Sequence, residues 1–291
     1  MILLDGKKTS SDIKDEITLE VTKLKKRGEK TPHLAAVIVG EDGASKTYVG
    51  AKVKACNRVG FKSTLLELPQ ETSQEELLTQ INNLNNNDEI DGFIVQLPLP
   101  KHIDEQIILM AVNPDKDVDG FHPTNVGKMA LNLPTFISAT PFGILELLDR
   151  YHVETSGKQV VVIGRSHIVG SPMSILLSQK RKVGNATVTI THSRTKNLKK
   201  ITLQADIIIA AIGIPEFLKA DMVKDNVTVI DVGITRVEDL TKKNGYRLLG
   251  DVDFEDVSKK SAYITPVPGG VGPMTIAMLL KNTLIASKKR K

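Results

Sequence analysis

Short apolar runs alternate with amphipathic stretches along most of this chain. A run without polar positions, such as Leu34–Val39, is typical of a strand that is buried on both faces of a sheet. Apolar residues that recur every three or four positions, as from Ile13 to Leu24, predict a helix with one buried side. Because strands and helices alternate in this way, the pattern predicts α/β domains in which helices join parallel strands.

Turn and cap residues divide the pattern into elements. Ser10-Ser11-Asp12 predicts the N-cap of the first helix, and Thr140-Pro141 predicts a cap with proline at the first helical position. After the first helix, the predicted elements are strand 34–39, helix 45–59, strand 64–68, a helix from Ser73, strand 92–96, helix 104–112, helix 140–151, strand 159–163, helix 170–178, strand 186–190, helix 197–205, strands 207–210 and 227–231, and a final helix at about 273–286.

The chain is long enough for two domains. It has 291 residues, and domains usually contain ~100–200 residues. Residues 113–139 are rich in proline, glycine and asparagine, which predicts an irregular junction. We therefore expect one α/β domain at 1–139, joined by the C-terminal helix of about 273–291, and a second domain at 140–272.

The composition excludes several classes of protein. A hydrophobic fraction of 41% and a charged fraction of 25% predict a folded chain, and no apolar run approaches the ~20 residues of a membrane span. The C-terminal Lys288–Lys291 segment supplies four of the positive charges behind the net charge of +5, and few aromatic residues are available for base stacking. The start lacks a secretion signal, and the single cysteine, Cys56, predicts a buried thiol. We expect a cytoplasmic protein with no nucleic-acid or membrane partner.

A glycine turn follows the strand predicted at 159–163. Gly164-Arg165-Ser166 leads into a helix that starts near Gly170, and the amide groups and dipole of a helix N-terminus favour an anion such as a phosphate. Compared with the G-x-G-x-x-G pattern, Ser166 replaces the second glycine and the last glycine comes one residue later. The turn is therefore a candidate dinucleotide site, and a purely structural turn is the alternative.

The next strand ends in a turn that bears on the choice of dinucleotide. NAD-binding enzymes tend to place an acidic residue here, and the segment after Thr191 has none. Ser193 and Arg194, together with Arg165, suit a 2′-phosphate and favour NADP, although Arg194 could also be an ordinary surface charge. Gly213 and the Gly233-Ile234 pair follow later strands, where they could contact the cofactor or simply form tight turns.

Polar side chains in the first half of the chain form a second candidate site. Tyr48 and Lys52 are four residues apart on a predicted helix and share one face, as they would also do on an exposed helix. Gln96 ends a buried strand, where a polar side chain usually faces a ligand or satisfies a loop. The segment Pro114–Gly120 contains three carboxylates, which could bind a metal, although no histidine accompanies them at ligand spacing. Its last carboxylate, Asp119, could instead accept two hydrogen bonds from a flat heterocycle.

Together these motifs resemble the bifunctional methylenetetrahydrofolate dehydrogenase/methenyltetrahydrofolate cyclohydrolase family. They occur in family order and span nearly the whole chain. The matching segments are Tyr48–Lys52, Val95–Pro100, Pro114–Gly120, Thr140–Gly143, Gly164–Gly170 and Thr265–Thr275.

The resemblance implies NADP-dependent oxidation of 5,10-methylenetetrahydrofolate and hydrolysis of the methenyl product to 10-formyltetrahydrofolate, a step in one-carbon metabolism and purine biosynthesis. It implies two three-layer α/β domains with a cleft between them, the C-terminal one a Rossmann-type dinucleotide-binding domain, and a homodimer. The roles implied are Lys52 as the catalytic lysine, Tyr48 as its partner, Gln96 as its support, Asp119 as the pterin anchor, Pro268, Gly269 and Gly270 as part of the folate site, and Gly164, Arg165, Ser166, Ser193 and Ile234 as the NADP site.

The chain departs from the family pattern at two places. Ser138-Ala139 stands where the family usually has Pro-Cys before Thr-Pro, and the segment near Lys180–Gly184, which precedes Ser193, is longer than usual. Two other functions stay open on the residues alone. One is an amino-acid or shikimate-type NADP dehydrogenase that uses Lys52 as its acid–base group, and the other is a nucleotide sensor without catalysis.

Overall fold

A computed structural model describes residues 1–242 and 245–289. In chain order its elements are β1 (Ile2–Leu3), α1 (Gly6–Lys26), β2 (His33–Val39), α2 (Gly43–Val59), β3 (Lys62–Leu68), α3 (Gln74–Asn86), β4 (Gly92–Val95), α4 (Glu105–Ala111), α5 (Pro123–Ala130), α6 (Ala139–Arg150), β5 (Gln159–Ile163), α7 (Gly170–Ser178), β6 (Thr187–Thr191), α8 (Leu198–Thr202), β7 (Ile207–Ala210), a 3₁₀ turn (Ala220–Met222), β8 (Val227–Asp231), β9 (Thr235–Glu238), β10 (Tyr246–Leu249), α9 (Phe254–Val257), β11 (Ser261–Ile264) and α10 (Val271–Lys289).

The chain forms two compact units. The first unit contains residues 10–139 and 276–291, and the second unit contains residues 1–9 and 140–275. This division differs from the predicted ranges at both ends of the chain. Residues 1–9 belong to the second unit because β1 pairs in parallel with β11 of its sheet.

The first unit is built on a three-stranded sheet in the order β3-β2-β4. Both pairings of β2 are parallel, so the strands end at one edge of the sheet. Val37 and Phe93 of the sheet pack with Ile81 of α3 and Ile108 of α4 in one buried apolar cluster. Full burial of such a side chain contributes ~1.5–3 kcal/mol, so this cluster holds the strand ends in fixed positions.

The second unit is built on a six-stranded parallel sheet in the order β1-β11-β8-β7-β5-β6. The chain moves from β5 to β6 on one side and then returns to place β7 on the other side of β5. That reversal makes β5 the topological switch point, and α/β sheets bind ligands outside the carboxyl ends of the strands at such a point. The fold therefore favours the turn after β5 as a binding site.

The predicted fold class is confirmed: both units are α/β with parallel sheets, and the second is a Rossmann-type domain. The predicted bounds of β5, α7, β7 and β8 agree with the structure. Cys56 is fully buried as predicted, and burial raises the pKa of its thiol to about 12. Within the described residues, no helix is long and apolar enough to cross a membrane.

Both predicted helix caps were wrong. The first helix begins at Gly6, and its true cap is Asp5, whose carboxylate accepts a hydrogen bond from the Lys8 amide at 2.8 Å. Thr140 lies inside α6, because that helix begins at Ala139, and the Thr140 hydroxyl is 3.0 Å from the Thr275 hydroxyl.

Other differences concern short elements and the basic end of the chain. Residues 113–139 are not wholly irregular, since Pro123 opens the short helix α5. The β9–β10 hairpin and strands β1 and β11 were missed. In the basic segment, Lys288 pairs with Glu20 at 3.3 Å and Lys289 lies over the Phe136 ring, while Arg290 and Lys291 fall outside the described residues.

Candidate functional site

Helix α2 carries Tyr48 and Lys52 in the first unit. Asp42 caps the helix through a 2.7 Å bond from the Ser45 amide, and Gly60 ends it in the left-handed conformation with φ of 78°. Lys52 is only 5% exposed, and its Nζ atom lies 4.6 Å from the centroid of the Tyr48 ring. The two side chains therefore form a contact pair, with the lysine ammonium over an electron-rich aromatic face.

Gln96 faces the same lysine from the end of β4. Its Oε1 atom accepts a 3.1 Å hydrogen bond from Lys52 Nζ, while its Nε2 atom donates to the Leu97 carbonyl at 2.6 Å. The backbone amide of Gln96 donates to Val37 and so continues the sheet. Because the Leu97 carbonyl takes the amide nitrogen, the oxygen of Gln96 is turned toward Lys52.

Asp119 is the third polar group near Lys52, and each group perturbs the other. Burial lowers the pKa of Lys52, and the charge of Asp119 opposes that effect. Burial raises the pKa of Asp119, Lys52 opposes the rise, and Asp117 adds to it. An amine whose pKa is brought toward neutrality can both accept and return a proton, so the cluster has the chemistry of an acid–base site.

The turn that carries Asp119 is held by Asp117 and by Asn282, of which the sequence pattern did not single out Asn282. Asp117 accepts hydrogen bonds from the Gly120 and His122 amides and from Asn125 Nδ2. The carboxylate of Asp117 therefore stabilises the conformation of the turn. From α10, the buried Asn282 donates to the carbonyls of Val118 and Ile137 at 2.8 and 2.9 Å.

A second site follows β5 in the second unit. Gly164 has φ of 115°, and a Cβ atom there would lie 2.2 Å from the Ala211 carbonyl oxygen. A Cβ at Gly170 would lie 2.3 Å from the Gly164 carbonyl oxygen, so the first turn of α7 packs directly on the loop. Both positions require glycine, and the close packing places the amide end of α7 at the carboxyl edge of the sheet, as a phosphate site needs.

Ser166 takes part in the start of α7. Its hydroxyl accepts hydrogen bonds from the amides of Val169, the N-cap residue of α7, and of Gly170, the first helical residue, at 3.1 and 3.4 Å. Ser166 and Arg165 are exposed, and so both can reach a ligand at the loop. The serine in place of the second glycine therefore stabilises the helix start.

The turn after β6 begins beside this loop. The Gly164 amide donates to the Thr191 carbonyl at 2.9 Å, so the two segments leave the sheet together. Ser193 and Arg194 are exposed on that turn, which is fixed by a 2.9 Å bond from the His192 amide to the Thr195 hydroxyl. No carboxylate occurs between Thr191 and Thr195, so a negatively charged group would meet no acidic side chain within this turn.

Two further segments of the second unit contain predicted site residues. Ile234 follows Gly233 after β8 and is 61% exposed. In the Pro268–Gly270 segment, Gly269 has φ of 113° and its carbonyl accepts a 2.8 Å bond from the Lys7 amide. A Cβ at Gly6 would lie 1.8 Å from the Gly270 carbonyl oxygen, so the start of α1 braces this loop by backbone contact.

The predicted site residues thus form two sets. Lys52, Tyr48, Gln96 and Asp119 lie together in the first unit. The second unit contains Gly164, Arg165, Ser166, Ser193, Ile234, Pro268, Gly269 and Gly270.

Comparison with known proteins gives matches over both units. Residues 4–119 match the family model described as tetrahydrofolate dehydrogenase/cyclohydrolase, catalytic domain, and residues 138–291 match the NAD(P)-binding domain of the same family. A protein of Flavobacterium psychrophilum named Bifunctional protein FolD is 69% identical over 291 residues, which are 100% of this chain and 99% of the relative.

Solved structures show the same likeness. The bifunctional enzyme FolD, methylenetetrahydrofolate dehydrogenase/cyclohydrolase, from Campylobacter jejuni is 49% identical with a TM-score of 0.94 and covers 100% of both chains. The N5,N10-methylenetetrahydrofolate dehydrogenase-cyclohydrolase of Trypanosoma brucei, solved with NADP and an inhibitor, is 40% identical with a TM-score of 0.94 and covers 99% of this chain and 98% of its own.

Proposed function

Because this chain belongs to the tetrahydrofolate dehydrogenase/cyclohydrolase family, we propose that Lys52 and its neighbours carry its hydrolytic reaction and that the Gly164 loop holds NADP for its oxidative one. The enzyme oxidises 5,10-methylenetetrahydrofolate to 5,10-methenyltetrahydrofolate and hydrolyses that product to 10-formyltetrahydrofolate. The alternatives of a shikimate-type dehydrogenase and a nucleotide sensor are therefore set aside.

In the oxidative reaction the residues of this chain mainly position the reactants. NADP, when bound, accepts a hydride from the methylene carbon of the folate. Asp119 anchors the pterin ring, because an ionised carboxylate can accept two parallel hydrogen bonds from an amidine-like edge. Hydride transfer needs no proton from the protein, and so alignment is the main contribution of these groups.

In the hydrolytic reaction Lys52 moves the protons. Its neutral amine takes a proton from water as the oxygen bonds to the methenyl carbon. The same proton passes to the ring nitrogen as the carbon–nitrogen bond breaks, the second proton of the water is released to solvent, and the formyl group remains on the other nitrogen. Gln96 holds Lys52 Nζ in place at 3.1 Å, and Tyr48 covers it. General acid–base catalysis of this kind typically contributes ~10²–10⁴-fold.

One observation carries this assignment: a lysine that is 5% exposed is bonded to Gln96 while its pKa is lowered by burial. The test is Lys52→Met beside Lys54→Met, which removes an exposed amine from the same helix. We expect Lys52→Met to abolish the decay of methenyl absorbance and to keep part of the NADP reduction, whereas Lys54→Met behaves as the wild type. Equal loss of both activities in a folded Lys52→Met protein would contradict this division of labour.

The preference for NADP rests on the turn after β6. Ser193 and Arg194 offer a hydroxyl and a guanidinium, Arg165 adds a second exposed guanidinium from the β5 loop, and no acidic side chain stands between Thr191 and Thr195. Such groups bind a 2′-phosphate through charge-assisted hydrogen bonds, whereas the uncharged 2′-hydroxyl of NAD gains little binding energy from them. The dehydrogenase should therefore show a lower KM for NADP than for NAD in a paired assay. Equal KM values would remove this turn from the specificity site.

Three further proposals concern the setting of the enzyme. It acts in the cytoplasm, its product supplies the formyl groups of purine biosynthesis, and it forms a homodimer, which we place on the cofactor domain. Light scattering tests the assembly, because a dimer has twice the chain mass of 31.8 kDa. A particle with the mass of one chain at assay concentration would contradict the dimer.

A further inference from the structure

Two buried aspartates of the second unit have no place in the reactions above. Asp231 is the last residue of β8 and is 3% exposed, and Asp251 follows β10 and is 0% exposed. Carboxylates are rarely buried so completely unless they are paired with a charge or accept hydrogen bonds. The hydrogen bonds that these two aspartates accept therefore indicate their role in the structure.

Asp251 holds the turn after β7. Its Oδ2 atom accepts hydrogen bonds from the amides of Ile212 and Gly213, at 2.7 and 3.0 Å. Both amides lie just beyond the carboxyl end of β7, the strand next to β5 in the sheet. One carboxylate oxygen thus fixes two successive peptide groups at the ligand-binding edge.

Asp231 holds the turn after β8 and also its partner. Its Oδ1 atom accepts from the amides of Gly233 and Asp251 at 3.0 and 2.9 Å, and its Oδ2 atom accepts from the Val252 amide at 3.0 Å. Gly233 precedes Ile234, the residue expected at the cofactor. The two aspartates therefore connect the turns after β7 and β8 through the segment at Asp251.

The two aspartates pack so closely on Gly233 and Gly250 that neither position has room for a side chain. A Cβ atom at Gly233 would lie 2.2 Å from Asp251 Oδ1, and one at Gly250 would lie 1.9 Å from Asp231 Oδ2. Among the described residues, Asp251 Oδ1 finds no hydrogen-bond donor although it is buried. A buried carboxylate with one unpaired oxygen beside a second carboxylate is costly, and a stability role alone would be better served by neutral groups.

We propose that Asp231 and Asp251 are positioning residues for the dinucleotide: together they fix the turns after β7 and β8 in the arrangement that receives the cofactor. This inference rests on the proposed NADP site. The turn after β7 lies beside the switch point at β5, and the turn after β8 lies one strand further along the same ligand-binding edge. Release of either turn should weaken binding of the cofactor, although neither aspartate side chain contacts the cofactor in this proposal.

The pair also makes this positioning depend on pH. Burial raises the pKa of Asp231 to about 7; its backbone hydrogen bonds oppose the rise, and the charge of Asp251 adds to it. As pH rises through this value, a second buried negative charge forms beside Asp251, and the two carboxylates repel each other across the segment that joins the turns. The affinity for NADP should therefore fall as pH rises. The other charged groups around the pocket that Asp231 lines are Glu216, Arg247, Asp253 and Glu255.

The experiment measures the Kd of NADP for the wild type, Asp251→Ala, Asp251→Asn and the control Asp253→Asn. Asp253 lies two residues away and pairs with Lys219 at 3.1 Å, so its replacement removes a nearby charge without freeing a turn. We expect Asp251→Ala to bind at least ~10-fold more weakly, because the Ile212 and Gly213 amides lose their shared acceptor and the turn after β7 is released. Asp251→Asn keeps one oxygen for those amides and should stay within ~3-fold of the wild type at about pH 6.

The Kd of each variant is divided by the Kd of the wild type at the same pH. This ratio removes the effect of the titration of NADP itself, which is common to all variants. The ratio of the Kd of Asp251→Asn to that of the wild type should fall ~3-fold or more between about pH 6 and about pH 8.5, because only the wild type gains the second charge. The ratio for Asp253→Asn should stay constant.

Several results would overturn the inference. Binding by Asp251→Ala as tight as by Asp253→Asn would do so, and so would a constant Asp251→Asn ratio across the pH range. The ratio also decides the matter if Asp251→Ala does not fold. A wild type that binds neither NADP nor NAD would instead contradict the proposed cofactor site, and the inference with it.

Discussion

Replacement of Gln96 by glutamate tests the proposed role of Lys52 without removing the lysine. Gln96 Oε1 lies 3.1 Å from Lys52 Nζ, so the glutamate places a negative charge where a neutral oxygen stood. The amide donor to the Leu97 carbonyl is lost, which frees the new carboxylate to turn further toward the lysine. The shape of the side chain is otherwise kept.

The size of the effect follows from the distance. Two unit charges at this separation attract by ~5 kcal/mol at an effective dielectric constant of about 20, and burial of the carboxylate consumes part of this energy. An opposite charge so close typically changes a pKa by ~1–3. The pKa of Lys52, which burial lowers in the wild type, should therefore rise in the Gln96→Glu protein. The fraction of neutral amine at neutral pH should fall accordingly, and the cyclohydrolase activity with it.

The assay is the pH profile of cyclohydrolase kcat/KM, followed by the decay of methenyl absorbance. We expect the rising limb of the profile to move to higher pH, with activity regained in alkaline buffer. The dehydrogenase should change much less, since hydride transfer needs no proton from Lys52. Gln106→Glu is the matched control, because it adds the same charge at an exposed position of α4 in the same unit.

Two results would refute this reasoning. A loss of cyclohydrolase activity that is equal at every pH would show that Gln96 orients Lys52 and does not tune its proton affinity. An unchanged profile in a folded Gln96→Glu protein would show that the proton passes through some other group.

Three further predictions concern the cofactor loops and the Asp119 turn. Arg194→Gln should raise the KM for NADP at least ~10-fold, because one charge-assisted hydrogen bond to a phosphate contributes about this factor to affinity. The KM for NAD should stay unchanged. The control Lys196→Gln, close by in the chain, should change neither KM. Gly164→Ala should weaken NADP binding and lower the free energy of unfolding by ~1–3 kcal/mol, measured by urea titration, because its φ of 115° and the close Ala211 carbonyl exclude a Cβ. Asn282→Ala should lower the free energy of unfolding by ~2–4 kcal/mol in the same titration and raise the KM for the folate, since the buried Val118 carbonyl and the half-buried Ile137 carbonyl lose their donor. An unchanged KM for the folate would show that the turn holds without Asn282.

The sequence predicted long, strongly patterned elements well and short ones poorly. The bounds of β5 and α7 agree because an uninterrupted apolar run ends at a glycine that no other residue can replace. Strand β1 has two residues and the β9–β10 hairpin alternates exposed and half-buried positions, so neither has enough apolar character to stand out. The helix cap at Ser10 was wrong because three polar residues in a row resemble a cap, and the true one, Asp5, lies a turn and a half earlier.

The candidate site shows a similar limit. Lys52 and Gln96 were picked out by local motifs, and the structure places their side chains within hydrogen-bond distance. Asn282 and Asp251 were not, because each acts on backbone groups far away in sequence. A side chain that bonds to the Val118 carbonyl from 164 positions along the chain leaves no local pattern to find. Such residues are recognised only when the fold is known.

The division of the chain into units has a consequence for synthesis on the ribosome. The sheet of the second unit includes β1 near the start, and the first unit includes residues 276–291. Neither unit can therefore complete its contacts until the chain has emerged almost to that final segment. Partly made chains should expose apolar surface for most of translation and depend on protection from aggregation. For the same reason, neither unit can be expressed alone by cutting the gene at one point.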